Sequence, residues 1–200
     1  MPRQSNSSAR RWTVARRRFV LLDRDGTIIV ERNYLSAPEQ VELLPGAAEG
    51  MRLLQRLGLG LVMVSNQSAI GRGLFDEARL ETIHRRLREL LKAEGVVLDA
   101  IYVCPHRPDA GCPCRKPETG LVQQAAREYD FNPAQSFVVG DKECDIELGR
   151  RIGAVTILVQ TGYGAEVAER NAAKPDYVEN DLRAAAVRIE HLLNGKERTG

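Results

Sequence analysis

Several features common in other proteins are missing from this 200-residue chain. No apolar run approaches the roughly 18 residues that span a bilayer, so no membrane segment is expected. Residues 1–18 contain no apolar core ahead of Phe19, which argues against a secretory signal. There is no internal repeat, no interdomain linker and no insertion long enough to build a large cap over a site. Cysteine is sparse: Cys104, Cys112, Cys114 and Cys144, three of them between positions 104 and 114. That clustering excludes a disulfide framework and suggests a metal site in a reducing, cytoplasmic compartment. What remains is 43% hydrophobic and 28% charged, enough for one buried core and unlike a collagenous, disordered or low-complexity chain.

The net charge of +2 hides an asymmetry. Residues 1–18 hold six arginines and no acid, so residues 19–200 carry 23 bases against 27 acids, about −4. The division expected is a basic, disordered arm over 1–18 and one folded domain over 19–200. The arm reads as a solubilising leader, with contact to nucleic acid as the alternative.

From Phe19 onward, short apolar runs alternate with helix-period segments. Strands are predicted at Phe19–Leu22, Leu59–Val64, Ile101–Val103, Ser136–Val139, Val155–Val159 and Asp176–Val178. Helices are predicted at Ala47–Leu57, from Asp76 to about Glu94, at Thr119–Tyr129, near Ile146–Ile152 and at Asp181–Leu193. This order predicts an α/β fold, a doubly wound parallel sheet in a single domain. Ligands of such sheets bind beyond the carboxyl ends of the strands. Polar clusters lie at those ends: Asp23-Arg24-Asp25, Ser65-Asn66, Cys104-Pro105-His106 and Gly140-Asp141.

Asp23-Arg24-Asp25-Gly26-Thr27 alone would read as an ordinary acidic turn. A second acidic pair, Asp141 and Asp145, after another strand points instead to a site for a hard divalent ion such as Mg²⁺. Cys104, His106, Cys112 and Cys114 form a Cys₃His set suited to tetrahedral Zn²⁺ with no open position, a structural site on a short loop over 104–114. Cys144 reads as a small packing residue. Glu31-Arg32-Asn33-Tyr34 can hydrogen-bond hydroxyls and a distal phosphate, or can be a plain solvated turn. The planar fork of Arg115 suits a second phosphate.

Four segments together resemble the motifs of the haloacid dehalogenase (HAD) superfamily: Phe19–Thr27, Ser65-Asn66, Lys116 in Cys-Arg-Lys-Pro, and Gly140–Asp145. Within it the chain is similar to the D-glycero-D-manno-heptose 1,7-bisphosphate phosphatases, with histidinol-phosphate phosphatases as near relatives. Ser65-Asn66-Gln67-Ser68 followed by Gly71-Arg72-Gly73 favours the heptose branch, although Ser65 stands where Thr is common and Ala69 where Gly is common. The zinc-type loop also matches that branch, in its short form.

The resemblance implies a Rossmann-like HAD fold and a Mg²⁺-dependent phosphatase acting through an aspartyl-phosphate. Asp23 would be the nucleophile and Asp25 the general acid and base. Ser65 and Lys116 would hold the transferring oxygens, and Mg²⁺ would be bound by Asp23, the Asp25 main-chain carbonyl and Asp141. Zn²⁺ would hold Arg115 and Lys116 in place. Substrate contacts would come from Glu31–Tyr34, Ser65–Ser68 (including Asn66 and Gln67), Arg115, Lys116 and Lys142. The expected substrate is a small sugar bisphosphate cleaved at its 7-phosphate by a monomeric enzyme. Histidinol phosphate is the alternative, and a polynucleotide end is disfavoured by the acidic body.

Overall fold

Phe19–Leu22 (β1) is four apolar residues in a row, and all four are buried. Period-2 alternation sends Val20 and Leu22 into one hydrophobic cluster and Phe19 and Leu21 into another on the opposite face. A strand covered on both faces needs this uninterrupted pattern. The structure is a computed structural model that describes residues 16–195.

After β1 the chain forms α1 (Ala47–Arg56), β2 (Gly60–Asn66), the short α2 (Ser68–Gly71), α3 (Glu77–Ala93) and β3 (Ala100–Cys104). It continues through α4 (Gly120–Glu128), β4 (Phe137–Gly140), α5 (Glu143–Ile152), β5 (Val155–Val159), α6 (Gly164–Glu169), β6 (Tyr177–Glu179) and α7 (Leu182–Leu193). The six strands are all parallel, in the order β3-β2-β1-β4-β5-β6. Leu21 is in register with Val62 on β2 and Val138 on β4.

Residues of α1, α3 and α7 cover one face, with Met51, Leu54, Ile83, Leu87, Ala185 and Ile189 fully buried. Residues of α4 and α5, among them Val122, Ala125 and Leu148, cover the other. Each of the larger side chains here contributes about 1.5–3 kcal/mol through burial, and the alanines less. Gly50 lets α1 meet α7 closely, since a Cβ there would stand 2.6 Å from the Leu182 carbonyl oxygen.

The helix expected from Asp76 to about Glu94 forms, and local rules bound it. Asp76 caps α3 by accepting the Arg79 N–H at 2.8 Å, and Gly95, at φ +72°, ends it. Asp181 caps α7 through the Ala184 N–H at 2.8 Å. The helices α2 and α6 were not expected; runs of four and six residues are too short to show a 3.6 period.

Most of the basic arm expected over 1–18 lies outside the described residues, and its last three residues are tied to the domain. Arg17 donates to both Asp99 oxygens and to the Leu59 carbonyl, Arg18 donates to the Gln135 carbonyl, and Arg16 pairs with Asp130. Among the described residues no helix is long and apolar enough to cross a membrane.

Candidate active site and metal-ligand cluster

Strand order reverses between β1 and β4, and the polar ends of β1, β2 and β4 converge there. In a doubly wound sheet this is where a crevice opens. Asp23 leaves the end of β1 with its N–H bonded to the Val139 carbonyl at 3.0 Å, which fixes it beside Asp141. Gly26, at φ +83°, turns the chain away; a Cβ there would stand 2.2 Å from Asp141 Oδ2. Only glycine fits that turn and that approach.

Asp23, Asp141 and Asp145 form a buried group in which one carboxylate oxygen from each lies within 4.8 Å of the other two. Lys116 holds two of them apart from water, with Nζ 2.7 Å from Asp23 Oδ1, 2.7 Å from Asp145 Oδ1 and 2.7 Å from the Val64 carbonyl. Its three protons are thus all committed. Lys116 is expected to hold phosphoryl oxygens; in this structure its ammonium positions and neutralises two carboxylates. Burial opposes its charge, but Asp145 and Asp23 outweigh that and hold its pKa above the ordinary lysine value. For Asp23, burial favours the neutral acid, and Lys116 and Lys142 overcome it to keep the carboxylate ionised.

Asp145 also accepts the Lys142 N–H at 3.1 Å, so its oxygens are engaged by the protein. Asp141 differs. Its Oδ2 accepts the Tyr163 N–H at 2.9 Å, but Oδ1 is buried with no hydrogen-bond partner among the described residues. The Lys142 ammonium stands 3.8 Å from that oxygen. Burial, then Asp23 and Asp145, push this carboxyl up to about 8. An ionised acid would be costly there unless a cation met it, so the cluster fits a hard divalent ion.

Asp25 does not join this trio. Its carboxylate is gripped by Arg24 through Nε and Nη2 at 2.9–3.1 Å, and Gln67 Nε2 donates to Oδ2 at 2.8 Å. The Asp25 side chain is 14% exposed, at the floor of a cavity of about 190 Å³. Glu31, Asn33, Tyr34, Asn66, Gln67, Ser68 and Lys142 line this cavity, as expected, with Tyr163 beside them. Asn33 and Tyr34 are both left-handed, at φ 44° and 68°, and their curl turns the loop over the cleft. Lys142 pairs with Glu31 at 2.9 Å.

Several expected contacts take other roles. Ser65 is 1% exposed beneath the cavity, where its Oγ accepts from Gln67 Nε2 at 2.7 Å. The Asn66 amide brackets the Lys116 peptide, accepting its N–H at 3.0 Å and donating to its carbonyl at 3.1 Å. Arg32 does not line the cavity; it is drawn away to Glu42 and the Gln40 carbonyl. Arg115 likewise lines a separate depression with Pro108 and Glu118, and donates to the His106 carbonyl at 3.2 Å. Glu42 and the His106 carbonyl are acceptors that local pattern could not place. Tyr163 was missed by the sequence reading, although it follows the carboxyl end of β5, where the same strand-end rule applies. Its hydroxyl donates to Asn33 Oδ1 at 3.3 Å.

The second cluster runs from Cys104, the last residue of β3, into the loop that follows. Cys104, Cys112 and Cys114 sulfurs are 3.3–3.5 Å apart, and His106 Nδ1 is 3.1 Å from Cys114 Sγ and 3.6 Å from Cys104 Sγ. A tetrahedron with Zn–S bonds of about 2.3 Å has S–S edges of about 3.8 Å, so a small expansion would admit the ion. The three thiols share their hydrogen bonds unequally: against burial, those from Cys114, Cys104 and the Cys114 and Arg115 N–H groups pull Cys112 down to about 6, while burial pushes Cys104 up to about 12. Cys144 is apart from this set, and burial, then Asp145, push its thiol up to about 12.

Comparison with known proteins agrees with this geometry. The hydrolase-like family model described as HAD-hydrolase-like matches residues 113–185. A D-glycero-D-manno-heptose-1,7-bisphosphate 7-phosphatase of Thermosynechococcus vestitus is 41% identical over 180 residues, covering 83% of this chain and 92% of that protein. A D-glycero-beta-D-manno-heptose-1,7-bisphosphate 7-phosphatase of Bordetella bronchiseptica is 36% identical, covering 86% and 97%. The crystal structure of the D,D-heptose 1,7-bisphosphate phosphatase from B. bronchiseptica, complexed with magnesium and phosphate, superposes with a TM-score of 0.83 at 35% identity over 88% of this chain and 99% of that one. The site and fold are those of a HAD-type hydrolase, and within that class the chain belongs to the heptose-1,7-bisphosphate 7-phosphatase family.

Proposed function

We propose that this protein is a Mg²⁺-dependent phosphomonoesterase that removes the 7-phosphate of D-glycero-D-manno-heptose 1,7-bisphosphate. The observation that carries the proposal is the buried Asp23, Asp141 and Asp145 cluster with an unpartnered Asp141 oxygen, next to a cavity holding Asp25.

The chemistry follows from these residues. An Asp23 oxygen attacks phosphorus, the bond from phosphorus to the sugar oxygen breaks, and Asp25, entering the step as the protonated acid, gives that oxygen its proton. Asp25, now ionised, takes a proton from water as the water attacks the aspartyl-phosphate. The bond to Asp23 then breaks and inorganic phosphate leaves. Asp23, Asp141 and the Asp25 main-chain carbonyl would hold Mg²⁺, which supplies charge neutralisation so that an anion can be attacked by an anion. Lys116 keeps Asp23 ionised, and Ser65 is oriented by Gln67. Lys142, Asn33, Tyr34 and Tyr163, which line the cavity, would receive the sugar and its other phosphate. Cys104, His106, Cys112 and Cys114 would hold a structural Zn²⁺ that stabilises the loop leading to Lys116. The enzyme is read as cytoplasmic and monomeric, with a sugar bisphosphate and no nucleic acid as its partner.

The test is phosphate release with Mg²⁺ from heptose 1,7-bisphosphate and from histidinol phosphate in parallel. Release from the bisphosphate, leaving a 1-phosphate, supports the proposal. Preference for histidinol phosphate would overturn the substrate assignment and keep the reaction class.

A further inference from the structure

Behind Asp25 lies a buried group that the reaction just described does not use. His84 is on α3, among Leu80, Ile83, Leu87 and Leu91, the residues that face the core, and it is 3% exposed. Its Nε2 lies 3.4 Å from Arg24 Nη1. Arginine only donates, so Nε2 carries the lone pair and the ring is neutral, protonated on Nδ1. Burial, then the charges of Arg24 and Arg88, lower the His84 pKa to about 3, which keeps the ring neutral in the working range.

Arg24 is 1% exposed, so it is framework to the cleft and offers almost nothing to a substrate. One edge of its guanidinium forks onto both Asp25 oxygens. Nη2 also donates to Gln67 Oε1 at 2.9 Å, and Gln67 turns its amide onto Asp25 Oδ2 and Ser65 Oγ. Among the described residues the opposite corner, Nη1, meets His84 alone. Without an acceptor there, a buried N–H would be left wanting at a cost of about 1–3 kcal/mol. The planar group would tilt to recover one, and Asp25 would turn with it.

We propose that His84 is a positioning residue for the acid–base step: by accepting from Arg24 Nη1 it fixes the guanidinium whose fork aims Asp25 at the leaving oxygen. The inference rests on the phosphomonoesterase reading above. A histidine that merely filled the core would affect stability, and any loss of activity would be equal for all leaving groups.

The experiment compares kcat/KM of the Mg²⁺-loaded wild type, His84→Leu and His84→Gln on a sugar phosphate and on p-nitrophenyl phosphate. The sugar alkoxide needs a proton from Asp25 to depart, whereas the nitrophenolate departs unprotonated. Because kcat/KM covers only steps through phosphoryl transfer to Asp23, the later attack of water does not enter. His84→Leu is expected to lose about ten- to a hundredfold on the sugar phosphate, within the 10²–10⁴ of general acid catalysis, and under about threefold on the aryl ester. His84→Gln, whose Oε1 can accept from Nη1, should recover most of that loss. If the Leu variant does not fold, His84→Met, which fills the volume without an acceptor, replaces it. Equal losses on both esters, no loss on either, or a Gln variant no better than Leu would overturn the proposal. A wild type that hydrolyses neither ester would instead overturn the functional reading.

Discussion

Two clusters of metal-ligand type lie within one small domain, and they are built in opposite ways. The carboxylates come from the ends of two strands and the start of a helix, Asp23 after β1, Asp141 after β4 and Asp145 in α5, and are buried in the sheet's crevice. The Cys104, His106, Cys112 and Cys114 cluster comes from the end of β3 and the short loop after it, and runs from buried Cys104 through half-buried Cys112 and Cys114 to exposed His106. The first is assembled by the fold, so its geometry is as rigid as the sheet and its charges are fully exposed to the cost of burial. The second has little core of its own, and its order must come from ligation. Lys116 connects them: two residues after Cys114, it reaches into the carboxylate cluster.

The sharpest way to break this comparison is at the nucleophile. Asp23→Asn should lower turnover by about 10⁴-fold or more, since an amide cannot form the acyl phosphate, while thermal unfolding stays close to wild type. Activity within tenfold of wild type would remove Asp23 from that role. Next in size is Lys116→Met. It leaves Asp23 and Asp145 buried without their cation, so about 3–5 kcal/mol of stability should be lost in chelator, measured by denaturant unfolding, with part of it regained on adding Mg²⁺. A loss below about 1 kcal/mol would mean that the carboxylates are better solvated than the geometry indicates.

The loop should respond differently. Cys112→Ala should release bound zinc, seen by elemental analysis, and lower kcat/KM about ten- to a hundredfold through misplaced Lys116, with no rescue by added Mg²⁺ and limited change in global stability. Zinc loss with unchanged kinetics would show that the two clusters are independent.

The smallest expected effect concerns pH. Unfolded histidine titrates near 6.5 and folded His84 near 3, so between these values the unfolded chain binds a proton that the folded one refuses. This contribution is complete above 6.5 and is lost as the pH falls. From pH 6.5 to 5 it amounts to about 1.5–2 kcal/mol, and His84→Gln should flatten the stability profile by that amount. Parallel profiles for the two proteins would contradict the burial of a neutral ring.

Local pattern made much of this legible. The strands announced themselves because both faces are covered and the apolar runs are unbroken, and the polar residues after them marked the crevice. Asp76 and Gly95 bounded α3 through rules that act within one turn. The Cys/His cluster was readable because all its ligands lie between positions 104 and 114. Asp25 was singled out in the sequence, but its environment was not, since the Arg24 fork, the Gln67 amide and His84 come from three elements that meet only after β1 and β2 pair and α3 packs on them.

What the sequence determined by itself, then, is whatever depends on neighbours in the chain: the strand and helix periods, the caps, the strand-end carboxylates, and the thiol and imidazole ligands of one loop. Which partners those groups have was decided by tertiary structure. Arg32 turned to Glu42 and Arg115 to the His106 carbonyl; Tyr163 entered the cleft; Lys116 became the counter-ion of Asp23 and Asp145. The reason is electrostatic. A buried charge must find a partner wherever the folded chain brings one near, and sequence distance does not enter that balance.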